Sequence, residues 1–336
     1  MTRIAVMGAG SMGTCFGMIM SDAGGEVGLW ARETEVAEDI NRNHRNEMFH
    51  PGFDLPRPLW CSNDAEEVMS RAEIVVLALP AQVLRSNLEL WRDVIPTDAL
   101  LVTLIKGIEQ GTKMRMTQVI AEVADVPAER VAVVSGPNLA REIIQRQPAA
   151  TTVACVDKGA AQKLQEAAST GYFRPYFTTD VVGVELGGSV KNVIALANGM
   201  AVGQGFGENS QAALVTRGLA EMVRLGVAMS ANQLTFIGLA GVGDLLATCN
   251  SPLSRNRTFG ENLGKGLTVE ETVAVTKQTC EGVKSCQPIF EMGQDAGVEM
   301  PITQQVVEVV HHGMKPRDML YNLMSRPVRA EQGQSS

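Results

Sequence analysis

The 336-residue sequence has few histidines and no closely paired cysteines. Its four histidines, at positions 44, 50, 311 and 312, do not stand at metal-ligand spacing with a second type of ligand, which argues against a metal centre. The six cysteines form no Cys-x-x-Cys pair and are scattered through apolar stretches. Buried free thiols of this kind are typical of a reducing compartment, so the sequence predicts a cytoplasmic protein.

Long apolar runs and an excess of basic residues are also missing. No segment approaches the roughly 20 apolar residues of a membrane-spanning helix, and Asp22 and Glu26 interrupt the early part of the chain. We therefore expect neither membrane insertion nor a signal peptide. The formal net charge of −8 argues against a nucleic-acid partner, which would need a basic surface. Small phosphorylated substrates remain compatible with this charge, because a few local arginines and lysines can bind them.

The first half of the chain alternates apolar runs with helical patterns. The run at residues 74–79 ends before Pro80 and is typical of a strand buried on both faces. Strands are predicted at 2–7, 27–30, 74–79, 99–104, 130–135 and 151–156, with helices near 12–23, 64–70, 82–93, 112–123 and 159–169. This alternation predicts the α/β class, with a Rossmann-type doubly wound and mostly parallel sheet.

Beyond residue 183 the pattern changes to helices alone. Residues 185–202, 210–228 and 303–312 show helical periodicity with many small residues, which indicates closely packed helices. The length of the chain is enough for two cores. We therefore predict a dinucleotide-binding domain at 1–182, an all-helical substrate-binding and catalytic domain at 183–328, and a polar, disordered tail at 329–336.

A glycine-rich segment follows the first predicted strand, with Gly8, Gly10 and Gly13 in the pattern G-x-G-x-x-G. In a dinucleotide site, the first glycine permits the turn, the second lets a pyrophosphate approach and the third lets helix and strand pack closely. The anion then lies at a helix N-terminus. A plain tight turn is the alternative, because the chain has 33 glycines. The strand–turn–helix context favours dinucleotide binding.

The second predicted strand is followed by Arg32 and Glu33. An acidic residue at the end of this strand commonly holds the ribose hydroxyls of NAD, whereas an arginine can meet the 2′-phosphate of NADP. Arg32 therefore favours NADP or the use of both cofactors, and an exposed loop arginine is the alternative. We predict dual specificity for NAD(P)H.

Two lysines are candidates for proton transfer, because no histidine lies in a convincing motif. Lys106 follows the strand at 99–104 and projects from the carboxyl edge of the sheet, where ligands of open α/β sheets bind. Lys191 stands beside Asn192 in an apolar helix of small residues, where burial would lower its pKa. A lysine that extends from a packed helix to solvent is the alternative.

A third group of polar residues lies in the helical half. Asp244 follows a glycine-rich segment and could orient a lysine, and Ser254, Arg255 and Asn256 form a dense set of donors suited to a phosphate. Taken singly, these residues could be a helix N-cap and an exposed charged turn. Their presence in one chain with a dinucleotide fingerprint favours a functional site.

Together these segments closely resemble the bacterial NAD(P)-dependent glycerol-3-phosphate dehydrogenases. The resemblance covers residues 8–326, and its most specific parts are residues 105–109, 135–142, 191–192, 238–244 and 254–257. Residues 209–214 and 216–218 also resemble the family pattern. It implies reduction of dihydroxyacetone phosphate to sn-glycerol 3-phosphate, the precursor of the phospholipid backbone, with NAD(P)H as cofactor, and it makes a homodimer plausible.

The resemblance also implies roles for individual residues. Lys191 would be the proton carrier. The substrate would contact Lys106, Gly136, Asn138, Lys191, Asp244, Ser254, Arg255 and Asn256. The cofactor would contact Gly8, Gly10, Ser11, Met12, Gly13, Arg32, Lys106, Ala140, Arg255 and Glu281. The chain departs from the family pattern at Met12, where an aromatic residue is frequent, at Asn138, where Ser or Thr is frequent, and at Thr279, where an aliphatic residue is common.

Two other functions remain open at this stage. One is a dehydrogenase of the same two-domain plan that acts on a small 3-hydroxy acid, which would not need the donor set around Arg255. The other is a nucleotide-sensing protein without turnover, which would not need Lys191.

Overall fold

The computed structural model describes residues 1–276 and 280–327, so that the predicted tail at 329–336 and Thr279 lie outside the described residues. The described residues form a single eight-stranded sheet. Its strands are β1 Arg3–Met7, β2 Glu26–Trp30, β3 Trp60–Ser62, β4 Ile74–Leu77, β5 Leu100–Thr103, β6 Val131–Ser135, β7 Ala149–Cys155 and β8 Phe173–Thr178. Across the described part of the chain, no helix is long and apolar enough to cross a membrane.

Fifteen α-helices lie within the same described ranges. They are α1 Ser11–Asp22, α2 Thr34–Asn43, α3 Ala65–Met69, α4 Leu84–Trp91, α5 Met116–Val123, α6 Ala140–Ile143, α7 Lys158–Ala167, α8 Val181–Gly203, α9 Glu208–Ala228, α10 Asp244–Asn250, α11 Arg255–Gly264, α12 Val269–Thr276, α13 Glu281–Asp295, α14 Pro301–His312 and α15 Pro316–Met324. The helix predicted at 112–123 begins only at Met116, because Arg115 has extended backbone and forms a bridge with Ile108. In the first half of the chain, the sequence analysis missed α2, β3, α6 and β8. In the second half it predicted a helical domain but gave ranges only for α8, α9 and α14, so that α10, α11, α12, α13 and α15 were not located.

The strands lie in the order β3-β2-β1-β4-β5-β6-β7-β8. The strands from β3 to β6 in this order run parallel, whereas β7 is antiparallel to β6 and parallel to β8. The mostly parallel, doubly wound sheet predicted from the sequence is therefore confirmed. Strand order reverses between β1 and β4, and in open α/β sheets the crevice at such a reversal binds the ligand at the carboxyl ends of the strands.

Each face of the sheet is covered by helices. Phe16 and Ile19 of α1 and Leu164 of α7 belong to the apolar cluster on one face, whereas Leu88 of α4 and Ile120 of α5 belong to the cluster on the other. Beyond β8, the described residues form helices and no strand. The first of these helices is α8, which begins at Val181, two residues before the domain boundary predicted between residues 182 and 183. It is buried along nearly its whole length.

Helix α8 is in close backbone contact with α11. A Cβ atom on Gly260 would lie 2.1 Å from the carbonyl oxygen of Leu196, and one on Gly199 would lie 2.1 Å from the carbonyl oxygen of Arg257. Only glycine permits this approach, because real Cβ contacts are never so short. The contact places the start of α11, with Arg255 and Asn256, beside the polar part of α8.

Candidate active site

The glycine turn after β1 has the geometry that a dinucleotide requires. Gly8 has a φ of +128°, and a Cβ on Gly13 would lie 1.8 Å from the carbonyl oxygen of Gly8. A Cβ on Gly10 would meet no atom within 4 Å, so open space lies in front of the N-terminus of α1. The turn, the close packing and the open approach match the three expected uses of these glycines, and the residues present suit a pyrophosphate at this helix N-terminus.

Lys106, Lys191 and Asp244 form one cluster at the carboxyl edge of the sheet. The Nζ atom of Lys191 donates to one carboxylate oxygen of Asp244 at 2.7 Å, and the Nζ atom of Lys106 donates to the other at 2.6 Å. Lys106 also donates to the carbonyl oxygen of Gly136 at 2.9 Å. Three segments far apart in sequence meet here: the loop after β5, the middle of α8 and the first turn of α10.

Burial controls the charges in this cluster. Lys191 is 6% exposed and Asp244 is 2% exposed. Burial lowers the pKa of Lys191 to about 8, although the charge of Asp244 opposes this change. Burial alone would raise the pKa of Asp244, but the adjacent charges of Lys106 and Lys191 outweigh it and lower that pKa below its usual value. Near neutral pH, the carboxylate is therefore ionised between two ammonium groups, and Lys191 can release its proton readily.

An amide network holds the neighbouring helix ends together. Asn192 donates to the carbonyl oxygen of Lys106 at 2.9 Å and accepts from the side chain of Asn256 at 2.9 Å. The side-chain oxygen of Asn256 in turn accepts from the backbone nitrogen of Gly282 at 3.0 Å. Both ends of the Asn256 amide are thus engaged within the protein. Only one of the two hydrogens of the Asn256 amide nitrogen is used within the described residues, so the other can be donated to a substrate.

The side chains of Arg255 and Ser254 differ in whether they are free to bind a ligand. The Ser254 hydroxyl accepts from the backbone nitrogen of Arg257 at 3.3 Å and caps α11. The Arg255 side chain is exposed and, over residues 1–276 and 280–327, forms no hydrogen bond or ion pair. Its guanidinium is therefore free to bind an anion.

A small pocket lies between the glycine turn and the lysine cluster. It is lined by Met12, Phe16, Leu104, Lys106, Val134 and Asn138. Asn138 donates to the hydroxyl of Thr151 at 2.8 Å, and its buried side-chain oxygen has no partner in the described part of the chain. This pocket joins residues predicted for the cofactor to residues predicted for the substrate.

Glu281 and Arg32 lie in contrasting environments. One oxygen of Glu281 accepts from the backbone nitrogen of Ala81 at 3.3 Å, and the other has no partner among the described residues. Burial raises the pKa of this carboxyl. The Arg32 side chain is 82% exposed and pairs with Glu33 at 2.5 Å. Ala140 begins α6, and its carbonyl oxygen accepts from the thiol of Cys15 at 3.1 Å.

The sequence analysis missed two hydroxyl groups beside the cluster. Thr248 accepts from Lys191 at 2.6 Å and donates to Asp244 at 3.2 Å, and Ser135 lies 3.5 Å from the other oxygen of Asp244. Thr248 stands four residues after Asp244, so helical spacing would have placed it on the same face. No comparable signal marks Ser135.

Two family models match the chain. The model described as the N-terminus of NAD-dependent glycerol-3-phosphate dehydrogenase covers residues 3–161, and the model of its C-terminus covers residues 180–321. The chain belongs to this family. Membership confirms the family, the enzymatic class and the nicotinamide cofactor predicted from the sequence.

Individual members of the family are similar over nearly their whole length. Glycerol-3-phosphate dehydrogenase (NAD(P)+) of Streptomyces griseus is 56% identical over 329 residues, with 98% of each chain covered. The enzyme of the same name from Thermobifida fusca is 55% identical over 332 residues, with 98% of this chain and 99% of that one covered. The crystal structure of glycerol-3-phosphate dehydrogenase from Coxiella burnetii has a TM-score of 0.91 at 32% identity, with 97% of this chain and 99% of that chain covered.

Proposed function

We propose that the chain reduces dihydroxyacetone phosphate to sn-glycerol 3-phosphate with NAD(P)H, and that Lys191 transfers the proton. The observation that carries this proposal is the buried contact of Lys191 with Asp244 at the sheet edge, next to the dinucleotide turn. The product would supply the glycerol backbone of phospholipids.

The side chains of the protein supply the proton for the reaction, whereas the cofactor supplies the hydride. When bound, the reduced nicotinamide supplies a hydride to the carbonyl carbon of the substrate. Lys191 gives a proton from its Nζ atom to the carbonyl oxygen, and in the reverse direction it takes the hydroxyl proton. Asp244 orients the amine, since one of its oxygens accepts from Nζ at 2.7 Å. The nearby cation of Lys106 further favours the neutral amine that remains after the transfer.

The phosphate of the substrate would be recognised at the start of α11. Arg255 offers a planar, permanently charged donor group with no protein partner in the described ranges, and such groups bind phosphate with two parallel hydrogen bonds. On the sheet side, Asn138 lines the pocket beside Lys106, and the carbonyl oxygen of Gly136 accepts from the Lys106 amine. Cofactor contacts by Ser11, Met12, Arg32, Ala140 and Glu281 belong to this proposal as well.

The direct test compares the oxidation of NADPH and NADH with dihydroxyacetone phosphate and with unphosphorylated dihydroxyacetone. Rapid turnover with the phosphorylated ketone alone supports the assignment. Turnover that does not depend on the phosphate would overturn it. Binding of the cofactor without turnover of either ketone would instead indicate a hydroxy-acid dehydrogenase or a nucleotide-binding protein.

Location and assembly are part of the same proposal. Six free and buried cysteines support a reducing, cytoplasmic location. A homodimer is proposed from the family resemblance, and sedimentation equilibrium of the purified chain tests it.

A further inference from the structure

The connection between α2 and β3 packs behind the dinucleotide turn. Two of its polar residues, Asn46 and His50, are almost fully buried there, with exposures of 1% and 5%. Burial of a polar side chain is costly unless it forms hydrogen bonds. The partners of these two side chains therefore indicate why they lie inside the protein.

Asn46 binds the backbone of the turn. Its side-chain nitrogen donates to the carbonyl oxygen of Ala9 and to the hydroxyl of Thr14, both at 2.9 Å. The Thr14 hydroxyl donates to the same Ala9 oxygen at 3.1 Å. Ala9 lies between the first two glycines of the fingerprint, outside α1, and across the described residues its carbonyl oxygen has these side-chain donors and no backbone donor. The orientation of this peptide thus depends on side chains.

His50 connects the turn to a second predicted cofactor contact. Its Nε2 atom lies 2.8 Å from the carbonyl oxygen of Ser11, to which it can only donate. The thiol of Cys15 lies 3.5 Å from the same nitrogen and donates to the carbonyl oxygen of Ala140 at 3.1 Å. Burial raises the pKa of Cys15 to about 12, so the thiol keeps its proton for this bond.

We propose that Asn46 and His50 are positioning residues that set the affinity for NAD(P)H by fixing the backbone of the dinucleotide turn. In a trans peptide, the C=O and the following N–H point in opposite directions. A carbonyl held toward the protein at Ala9 or Ser11 therefore directs the following N–H group at the ligand. The loop then loses less conformational entropy when the cofactor binds than a turn without these donors would. Neither side chain needs to touch the nucleotide. This inference rests on the proposed function only in that both require NAD(P)H as the cofactor, and it does not depend on the substrate.

The first test is direct binding of NADPH and NADH to the full-length chain, measured by nicotinamide fluorescence. Asn46→Ala removes the donor to Ala9, and we expect the Kd to rise about five- to tenfold, as the loss of one or two hydrogen bonds predicts. The matched control is Asn41→Ala, since Asn41 is also a structural asparagine of this region but bonds only the backbone of Cys61. The control should lower the melting temperature and leave the Kd within twofold.

His50 provides a second and independent pair of variants. His50→Gln keeps a donor near the Nε2 position, whereas His50→Leu fills the same buried space without one. We expect His50→Leu to raise the Kd about fivefold and His50→Gln to restore it. In steady-state assays, the KM for the cofactor should rise while the kcat at saturating cofactor changes less than twofold.

The outcomes separate this inference from the proposed function. Wild-type protein that binds neither nucleotide would defeat the proposed function itself. Wild-type binding with an unchanged Kd in both Asn46→Ala and His50→Leu would overturn the positioning role alone. An equal rise of the Kd in Asn41→Ala would do the same, because it would show a general effect of destabilisation. If Asn46→Ala does not fold, the His50 pair decides.

Discussion

Lys191 donates from its buried amine to a carboxylate oxygen of Asp244 at 2.7 Å, and the two residues come from different helices. Burial favours the neutral amine, whereas the carboxylate favours the charged one. The balance leaves the lysine with a pKa near the pH of the cell, which suits a group that must both give and take a proton.

Replacement of this lysine should abolish most turnover. We expect Lys191→Ala to lower the kcat by about a hundredfold or more, because a positioned general acid contributes at least this factor. Lys265→Ala is the matched control, since Lys265 lies exposed at the end of α11 and, among the described residues, pairs only with Glu261. Near-normal turnover in Lys191→Ala would remove the assigned role.

The two directions of the reaction should respond oppositely to pH. The pKa of Lys191 is lowered from 10.5 to about 8, so the amine is protonated below this pH and neutral above it. Ketone reduction needs the protonated amine and should slow as the pH rises through about 8, whereas alcohol oxidation should accelerate over the same range. The kcat/KM values from initial rates in each direction test this, since they report the pKa of the enzyme before substrate binds and are free of the overall equilibrium. Parallel profiles in both directions would contradict the assignment.

Loss of the Arg255 guanidinium should chiefly weaken binding of the phosphorylated substrate. A charge-assisted hydrogen bond contributes about 1.5–3 kcal/mol, so Arg255→Ala should raise the KM for dihydroxyacetone phosphate roughly ten- to a hundredfold. The rate with unphosphorylated dihydroxyacetone should be the same in this variant as in the wild type. The exposed Arg57 serves as a control for the loss of one positive charge. An unchanged KM in Arg255→Ala would argue that the phosphate binds elsewhere.

Arg32 should contribute to NADPH selectively. Its exposed guanidinium can leave Glu33 and bind a 2′-phosphate, because a surface ion pair is worth only about 0–1 kcal/mol. We expect Arg32→Ala to lower kcat/KM for NADPH about tenfold and to leave the value for NADH nearly unchanged. Equal values for wild type and variant with both cofactors would make Arg32 an ordinary loop residue.

The contact between α8 and α11 should not tolerate a methyl group. A Cβ on Gly260 would lie 2.1 Å from the Leu196 carbonyl, so Gly260→Ala must push the helices apart. We expect a loss of about 1–3 kcal/mol in the free energy of unfolding, as for other overpacked cores. Gly171→Ala is the control, since a Cβ there meets no atom within 4 Å. Chemical denaturation measures both, and equal stabilities would show that the helices can separate without cost.

Apolar runs were enough to predict the central strands, and stretches rich in apolar and small residues were enough to predict α8, α9 and α14. Among the missed elements, α2 is short and mostly polar, with only Val36, Ala37 and Ile40 buried, and β8 contains Pro175 and lies at the edge of the sheet. Proline lowers the strand signal although an edge strand tolerates it. The antiparallel direction of β7 could not be predicted either, because an apolar run does not encode its direction.

The charged residues of the site could be identified from the sequence because charges are unusual among apolar and small residues. Lys106, Lys191 and Asp244 meet in the structure as the common site required. The sequence could not show that Asn256 bonds Asn192 and Gly282, since such pairing depends on how α11 and α13 pack on α8. The sequence analysis missed Asn46 and His50 for the same reason, since each bonds a backbone carbonyl more than 30 residues away and such a contact leaves no pattern in the sequence.

The touching backbones of α8 and α11 also determine how the site can move. Because carbonyl oxygens lie directly against glycine Cα atoms, α8 and α11 have little room to shift relative to each other. The backbone positions of Lys191 on one helix and Arg255 on the other are therefore held at a nearly constant separation. Under the proposed function, this separation sets the distance between the amine that protonates the carbonyl and the guanidinium that binds the phosphate.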